Sequence, residues 1–133
     1  MQNYRDIRAW QYAHRVVLRV YAVTETFPAS ERFGLVSQMR RAAVSVPANI
    51  AEGSKRLFKR DYVRFLNVAE ASLREVDYYL VLARDLRFVD AQAIAELLGQ
   101  VEEAARLLAG FRRTVQRSHR DPQLPTPDDT PDS

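Results

Sequence analysis

The stretch Gln38–Gly53 constrains this chain more than any other, because two stripes of opposite character run along it at helical spacing with a proline inside. Leu35, Met39, Ala42, Val46, Ile50 and Gly53 recur at steps of three and four, which places them on one helix face that needs a core to pack on. One position over, Gln38, Arg41, Ser45, Asn49 and Glu52 recur with the same steps. If that row is buried it needs partners, since each unsatisfied polar group costs about 1 to 3 kcal/mol. Ser72 and Glu75, three apart on a later helix, are the expected partners. The reading is a structural polar network between the second and third helices rather than a ligand groove. Pro47 cannot donate to the carbonyl of Ala43 and costs about 3 kcal/mol in a helix interior. A kink at Pro47, or a break just before it, is therefore expected.

The same spacing extends through the chain. Trp10, Ala13, Val17, Val20, Thr24 and Phe27 predict a first helix from about Asp6, which can cap it, to Thr26. Phe27-Pro28-Ala29-Ser30 interrupts the pattern, and Ser30 ahead of Glu31 predicts the cap of a second helix running to Glu52. Gly53 is its expected left-handed terminator. After a turn at 54–58, Tyr62, Leu66, Ala69, Leu73, Val76, Leu80 and Ala83 predict a third helix. Asp90 can cap a fourth, carrying Ile94, Leu97, Val101, Ala104, Leu108, Phe111 and Val115. Gly99 and Gly110 each cost about 1 kcal/mol there relative to alanine, and mark either close approach of a neighbour or nothing. Four long helices with short connections predict an all-α, antiparallel up-and-down four-helix bundle over residues 1–117. Residues 118–133 hold four prolines, four aspartates and no apolar run, and predict a disordered acidic tail.

Composition removes several kinds of chemistry. With no cysteine in 133 residues there is no disulfide, thiolate metal site or cysteine nucleophile. Neither His14 nor His119 follows a glutamate by three positions, so no paired-helix metal site is expected, and no Gly-rich loop points to a nucleotide. No cofactor and no catalytic residue is predicted. The chain has neither a signal-peptide pattern nor a membrane-length apolar run, which predicts a cytoplasmic protein without a membrane partner. One enzymatic alternative exists. Arg8 and His14, and Arg113 and His119, have the Arg-x5-His spacing of small helical ribonucleases of the HEPN class, a pattern that eighteen arginines readily produce.

Charge is unevenly spread. The net charge is +3, but residues 118–133 carry −3, which leaves +6 on residues 1–117. Lys55, Arg56, Lys59, Arg60 and Arg64 crowd the turn before the third helix, opposed locally by Asp61, with Arg40 expected nearby on the second helix. These six are the predicted nucleic-acid-binding residues, RNA or DNA being the natural partner of such a cluster. Val16, Tyr21 and Val23, then Phe65, Tyr79 and Val81, lie off the main stripes and predict a homo-oligomeric interface. Repetition of a basic cluster in an oligomer would add avidity, while a ring that binds only protein is the other alternative.

Gln38-x-Arg-Arg-Ala-Ala-x-Ser-x-Pro-Ala-Asn-Ile-Ala-Glu-Gly53 closely resembles the signature of the four-helix-bundle proteins encoded in intervening sequences of bacterial 23S ribosomal RNA genes. Trp10-Gln11, Phe27-Pro28, Phe33-Gly34-Leu35 and Phe65-Leu66-x-x-Ala69-x-x-Ser72-Leu73-x-Glu75 are similar to that family as well, so that the resemblance spans about residues 4–117. It implies a bundle that assembles into a ring, a pentamer, with proposed nucleic-acid contacts. More distantly, the chain resembles the accessory proteins of diversity-generating retroelements.

Overall fold

The apolar stripes become four α-helices, α1 Arg8–Thr24, α2 Ser37–Gly53, α3 Lys59–Asp85 and α4 Ala91–Arg117, in a computed structural model that describes residues 3–118. The expected acidic tail, apart from Ser118, lies outside the described residues. Each helix runs opposite to its neighbours. Arg40 near the start of α2 bonds Thr24 at the end of α1, Ser45 on α2 meets Ser72 on α3, and Lys59 opening α3 bonds the carbonyl of Gln116 near the end of α4. Arg19 and Glu96 close the circle between α1 and α4. The fold is an antiparallel up-and-down bundle, with no strand among the described residues.

The stripes read from sequence meet on the bundle axis. Met39, Ile50, Leu66, Leu73, Leu80, Ile94, Leu97 and Leu108 are fully buried there with Val16, Val20, Val46 and Val76. Burying such a side chain stabilises the fold by about 1.5 to 3 kcal/mol.

The helix ends depart from the sequence expectation. Asp6 does not cap α1; it lies in a 3₁₀ turn, Tyr4–Asp6, that Asn3 caps by accepting from the Arg5 N–H at 3.0 Å. Ser30 does not begin the second helix either. A 3₁₀ turn, Ala29–Glu31, and a π-helical turn, Arg32–Val36, come first, and α2 starts at Ser37. Within that turn the Glu31 carboxylate accepts from the Leu35 N–H, and Gly34 leaves the helical region at φ −108°, ψ −108°. The helix runs unbroken through Pro47. Both Ala43 and Pro47 are buried, so tertiary packing offsets the lost hydrogen bond. Asp90 occupies the N-cap position of α4 without a side-chain cap bond.

Gly53 is not left-handed, since no glycine has positive φ. It is the last residue of α2, and its value is its missing side chain. A Cβ there would stand 2.9 Å from Phe65 Cβ and 2.9 Å from Tyr62 Cδ1 on α3. Gly99 and Gly110 mark no close approach: nothing lies within 4 Å of a Cβ at Gly99, and only the guanidinium tip of Arg113 at 3.8 Å from one at Gly110. Among the described residues the left-handed one is Arg87, φ 61°, between α3 and α4. There the Phe88 N–H bonds the Ala83 carbonyl and the Arg87 N–H bonds that of Arg84, the paired bonds of a Schellman ending.

Glycine substitutions should therefore act with opposite signs. Gly53→Ala is expected to lower stability by about 1 to 3 kcal/mol through overpacking. Gly99→Ala should raise it by about 0.5 to 1 kcal/mol, as an exposed helical position with room. Thermal or urea unfolding followed by circular dichroism measures both; equal, small effects would contradict the tight α2–α3 junction.

Candidate nucleic-acid interface

Antiparallel topology brings the start of α1, the end of α2, the start of α3 and the end of α4 to one end of the bundle. Residues 3–12, 49–65 and 110–118 at that end hold ten lysines and arginines against three carboxylates. Residues 19–40 and 78–96 at the far end hold five against five. The basic excess is thus confined to one end, and its field adds over all four segments.

The predicted residues play different parts there. Lys59 points its ammonium at the carbonyls of Gln116, 3.2 Å, and Ser118, 2.5 Å, and so ties the start of α3 to the end of α4. A cation is favoured at that helix C-terminus. Arg56 donates to Glu52 at 2.6 Å and lies over the Phe65 ring at 4.6 Å, with Arg64 over the same ring at 4.9 Å. Arg60 lies over Phe58 at 5.7 Å, and Lys55 is exposed on the turn. Arg40 is not with them. It sits about 20 Å away along α2, where it is half-buried, donates to Thr24 Oγ1 at 2.9 Å and the Tyr21 carbonyl at 3.3 Å, and covers the Tyr21 ring at 4.5 Å. The sequence places Arg40 on the right helix but the helix carries it to the opposite end.

Part of this end comes from segments far from the turn in sequence: the end of α4, whose Arg112, Arg113 and Arg117 are the next candidates read from sequence, and the start of α1, which sequence reading missed. Arg112 bonds Glu70 at 2.6 Å across α3 and α4, both side chains being about three-quarters buried. At the start of α1, Arg5 covers Tyr4 at 4.8 Å, Tyr4 meets Trp10 edge-on at 5.2 Å, and Trp10 stacks on His14 at 5.0 Å. Arg8 donates to the Tyr12 hydroxyl at 3.4 Å; that bond, with the opposite charges the two groups carry when ionised, lowers the pKa of Tyr12 and raises that of Arg8. Arg8 and His14, one of the ribonuclease-like pairs, are thus engaged with different rings. His119 of the other pair lies outside the described residues. Among the described residues no three His, Asp or Glu side chains are grouped to hold a metal, and no helix is long and apolar enough to cross a membrane.

The polar row divides in the same way. Ser45 and Ser72 hydroxyls are 2.8 Å apart, and Asn49 Nδ2 donates to Ser45 Oγ at 2.9 Å and to its carbonyl at 2.7 Å. Gln38, Arg41, Glu52 and Glu75 are exposed. Short side chains in the middle of the row reach α3, whereas the longer ones stay in water, where an ion costs least. Among the off-stripe apolar residues Val16 belongs to the core at 1% exposure, while Val23, Phe65, Tyr79 and Val81 are half-buried and Tyr21 is exposed. The most exposed ring, Phe33 at 92%, was not among them; with Tyr21, Phe27, Arg40, Arg41 and Val44 it lines a groove of about 770 Å³ at the far end.

The profile of the 23S rRNA-intervening sequence proteins matches residues 5–110. The chain belongs to the 23S rRNA-intervening sequence protein family. The match spans α1 to α3 and most of α4, so it takes in the turn with the basic cluster. A solved structure from Bacteroides thetaiotaomicron, described as a protein of unknown function from the S23 ribosomal protein family, is similar with a TM-score of 0.73 and 19% identity, covering 79% of this chain and 95% of that one. At that identity the likeness concerns the fold of the family. No curated protein matches the chain.

Tyr62, beneath the basic turn, supplies a pH test. Its ring packs edge-on to Phe111 at 5.9 Å, it is 4% exposed, and its hydroxyl makes no hydrogen bond among the described residues. Burial pushes its pKa up to about 12. Because the folded value lies above the unfolded one, near 10, its contribution to stability is complete below about pH 10 and is lost as pH rises toward 12. Tyr62→Phe should melt at or above the wild-type temperature at neutral pH and should show a smaller loss between pH 10 and 12. A lower melting temperature at pH 7 would mean that the hydroxyl has a partner.

Proposed function

We propose that the protein is a non-enzymatic, homo-oligomeric scaffold of the cytoplasm that binds RNA or DNA through its basic end. Confinement of the cationic excess to residues 3–12, 49–65 and 110–118 is the observation that carries this reading. Lys55, Arg60 and Arg64 are its exposed cations on the turn and first helical turns of α3. Arg56 and Lys59 add positive potential while holding Glu52 and the end of α4. The family description, which refers to an intervening sequence of 23S rRNA, is consistent with an RNA partner.

Two considerations support assembly. Phe33, Tyr21, Leu18 and Tyr78 are exposed apolar side chains that a partner surface would cover. The resemblance at Gln38–Gly53 implies a ring of five. Ring assembly would present the basic end several times, which raises affinity through effective concentration without new contacts.

Light scattering should give a mass about five times 15.3 kDa, and a mass of one subunit would contradict the assembly. In a salt titration with labelled RNA, replacing Lys55, Arg60 and Arg64 by glutamine should weaken binding across sequences alike. The slope of log affinity against log salt should fall by roughly 0.7 to 0.9 for each lost phosphate contact. Melting temperature should change little, because exposed charges contribute little to stability. Unchanged slope would place the contact elsewhere, and no binding by the wild type would leave a ring that engages protein alone.

A further inference from the structure

The basic end contains more than charge. Seven aromatic rings lie in or beside it, and most already have a partner on a face or are buried; Tyr4 carries the guanidinium of Arg5 and meets Trp10 edge-on. Tyr62 is buried, Phe65 carries the guanidinium groups of Arg56 and Arg64, Trp10 stacks on His14, and Tyr12 carries those of Arg8 and Arg15. Phe58 differs. It is 43% exposed, follows Leu57 at 45%, and has a single guanidinium, that of Arg60, over its ring at 5.7 Å. Its backbone is extended at φ −105°, ψ 140°, the residue immediately ahead of α3, so it stands at the corner where α2 turns into α3.

An exposed ring flanked by cations has two physical needs that one ligand meets together. The ring gains from a flat apolar partner, and the surrounding Lys55, Arg60 and Arg64 gain from phosphates. An unpaired nucleotide offers both, as a base for stacking and a phosphate for the cations. A base inside a duplex offers only its phosphate, since both of its faces are already covered. We propose that Phe58 and Arg60 form a stacking platform for one unpaired base, so that the basic end takes single-stranded nucleic acid in preference to duplex. This inference rests on the nucleic-acid reading above and specifies its substrate.

The preference has a sign that charge alone would reverse. Duplex carries the higher charge density and releases more counterions per length, so a purely ionic surface binds duplex more tightly than single strand. A stacking contact raises single-strand affinity only. It also carries no salt dependence of its own.

Fluorescence anisotropy on the full assembled protein separates these cases, using an RNA of about 12 nucleotides, the DNA strand of the same sequence, and the RNA duplex formed with its complement. Both single strands should bind more tightly than the duplex. Phe58→Ala should weaken single-strand binding roughly 5- to 100-fold, leave duplex binding unchanged, and leave the salt slope unchanged. Phe58→Trp should restore the affinity, and Phe33→Ala at the far end should have no effect. Circular dichroism confirms that each variant is folded, which the exposure of both rings favours. Duplex binding equal to or tighter than single-strand binding, with Phe58→Ala silent, would overturn the platform while leaving the nucleic-acid reading in place. Absence of binding to all three probes would overturn both.

Discussion

The junction of α2 and α3 at Gly53 is the contact on which the rest of the arrangement depends. A hydrogen in place of a side chain lets the end of α2 approach Tyr62 and Phe65 to a distance at which any Cβ would be about 2.9 Å from both. Farther along the same seam, Ala42, Ala43 and Ala69 are buried, and Ser45, Asn49 and Ser72 satisfy one another. Small side chains with internally paired polar groups allow close packing without stranding a donor. The turn from α2 into α3 then needs only residues 54–58.

That tight turn determines the electrostatics. Once the chain reverses direction after Gly53, Lys59 stands beside the last turn of α4, and the arginines at 112, 113 and 117 join the cations of the turn. Like charges gathered this way repel, and the structure offsets part of the cost locally. Arg112 is held by Glu70, Arg56 by Glu52, and Lys59 by main-chain carbonyls at a helix C-terminus. Four aromatic residues, Tyr4, Tyr12, Phe58 and Phe65, accept guanidinium groups on their faces. What remains uncompensated is a positive field at one end of the bundle and a neutral far end whose most exposed feature is apolar, Phe33.

Most of the fold was legible because burial enforces a period. Every residue of the stripes on α3 and on α2 from Leu35 to Gly53 is buried, and the four-helix architecture follows from their lengths. Terminal signals were less legible. Ser30 and Asp6 have the chemistry of caps, yet the chain uses Asn3, Glu31 and the π-helical turn at Arg32–Val36, because the turn must also seat Phe27 and Leu35 in the core. The break considered just before Pro47 does not occur, since α2 continues through it with Ala43 and Pro47 both packed in the core. Of the site, the consecutive cations of the turn could be read directly. Arg5, Arg8 and the aromatic series on α1 could not, since only the antiparallel return of α4 and the start of α1 brings segments a hundred residues apart to the same end. Arg40 shows the converse, a cation close to the turn in sequence that fifteen helical positions carry away from it.

The central claim is that the basic end, and not the groove beside Phe33, meets nucleic acid. Hydrogen exchange of the assembled protein with and without a saturating single-stranded RNA tests it most directly. The account predicts added protection in residues 3–12, 49–65 and 110–118, strongest around Leu57–Arg60, with exchange at residues 27–37 unchanged. Protection centred on residues 27–37, with the basic end unaffected, would contradict it.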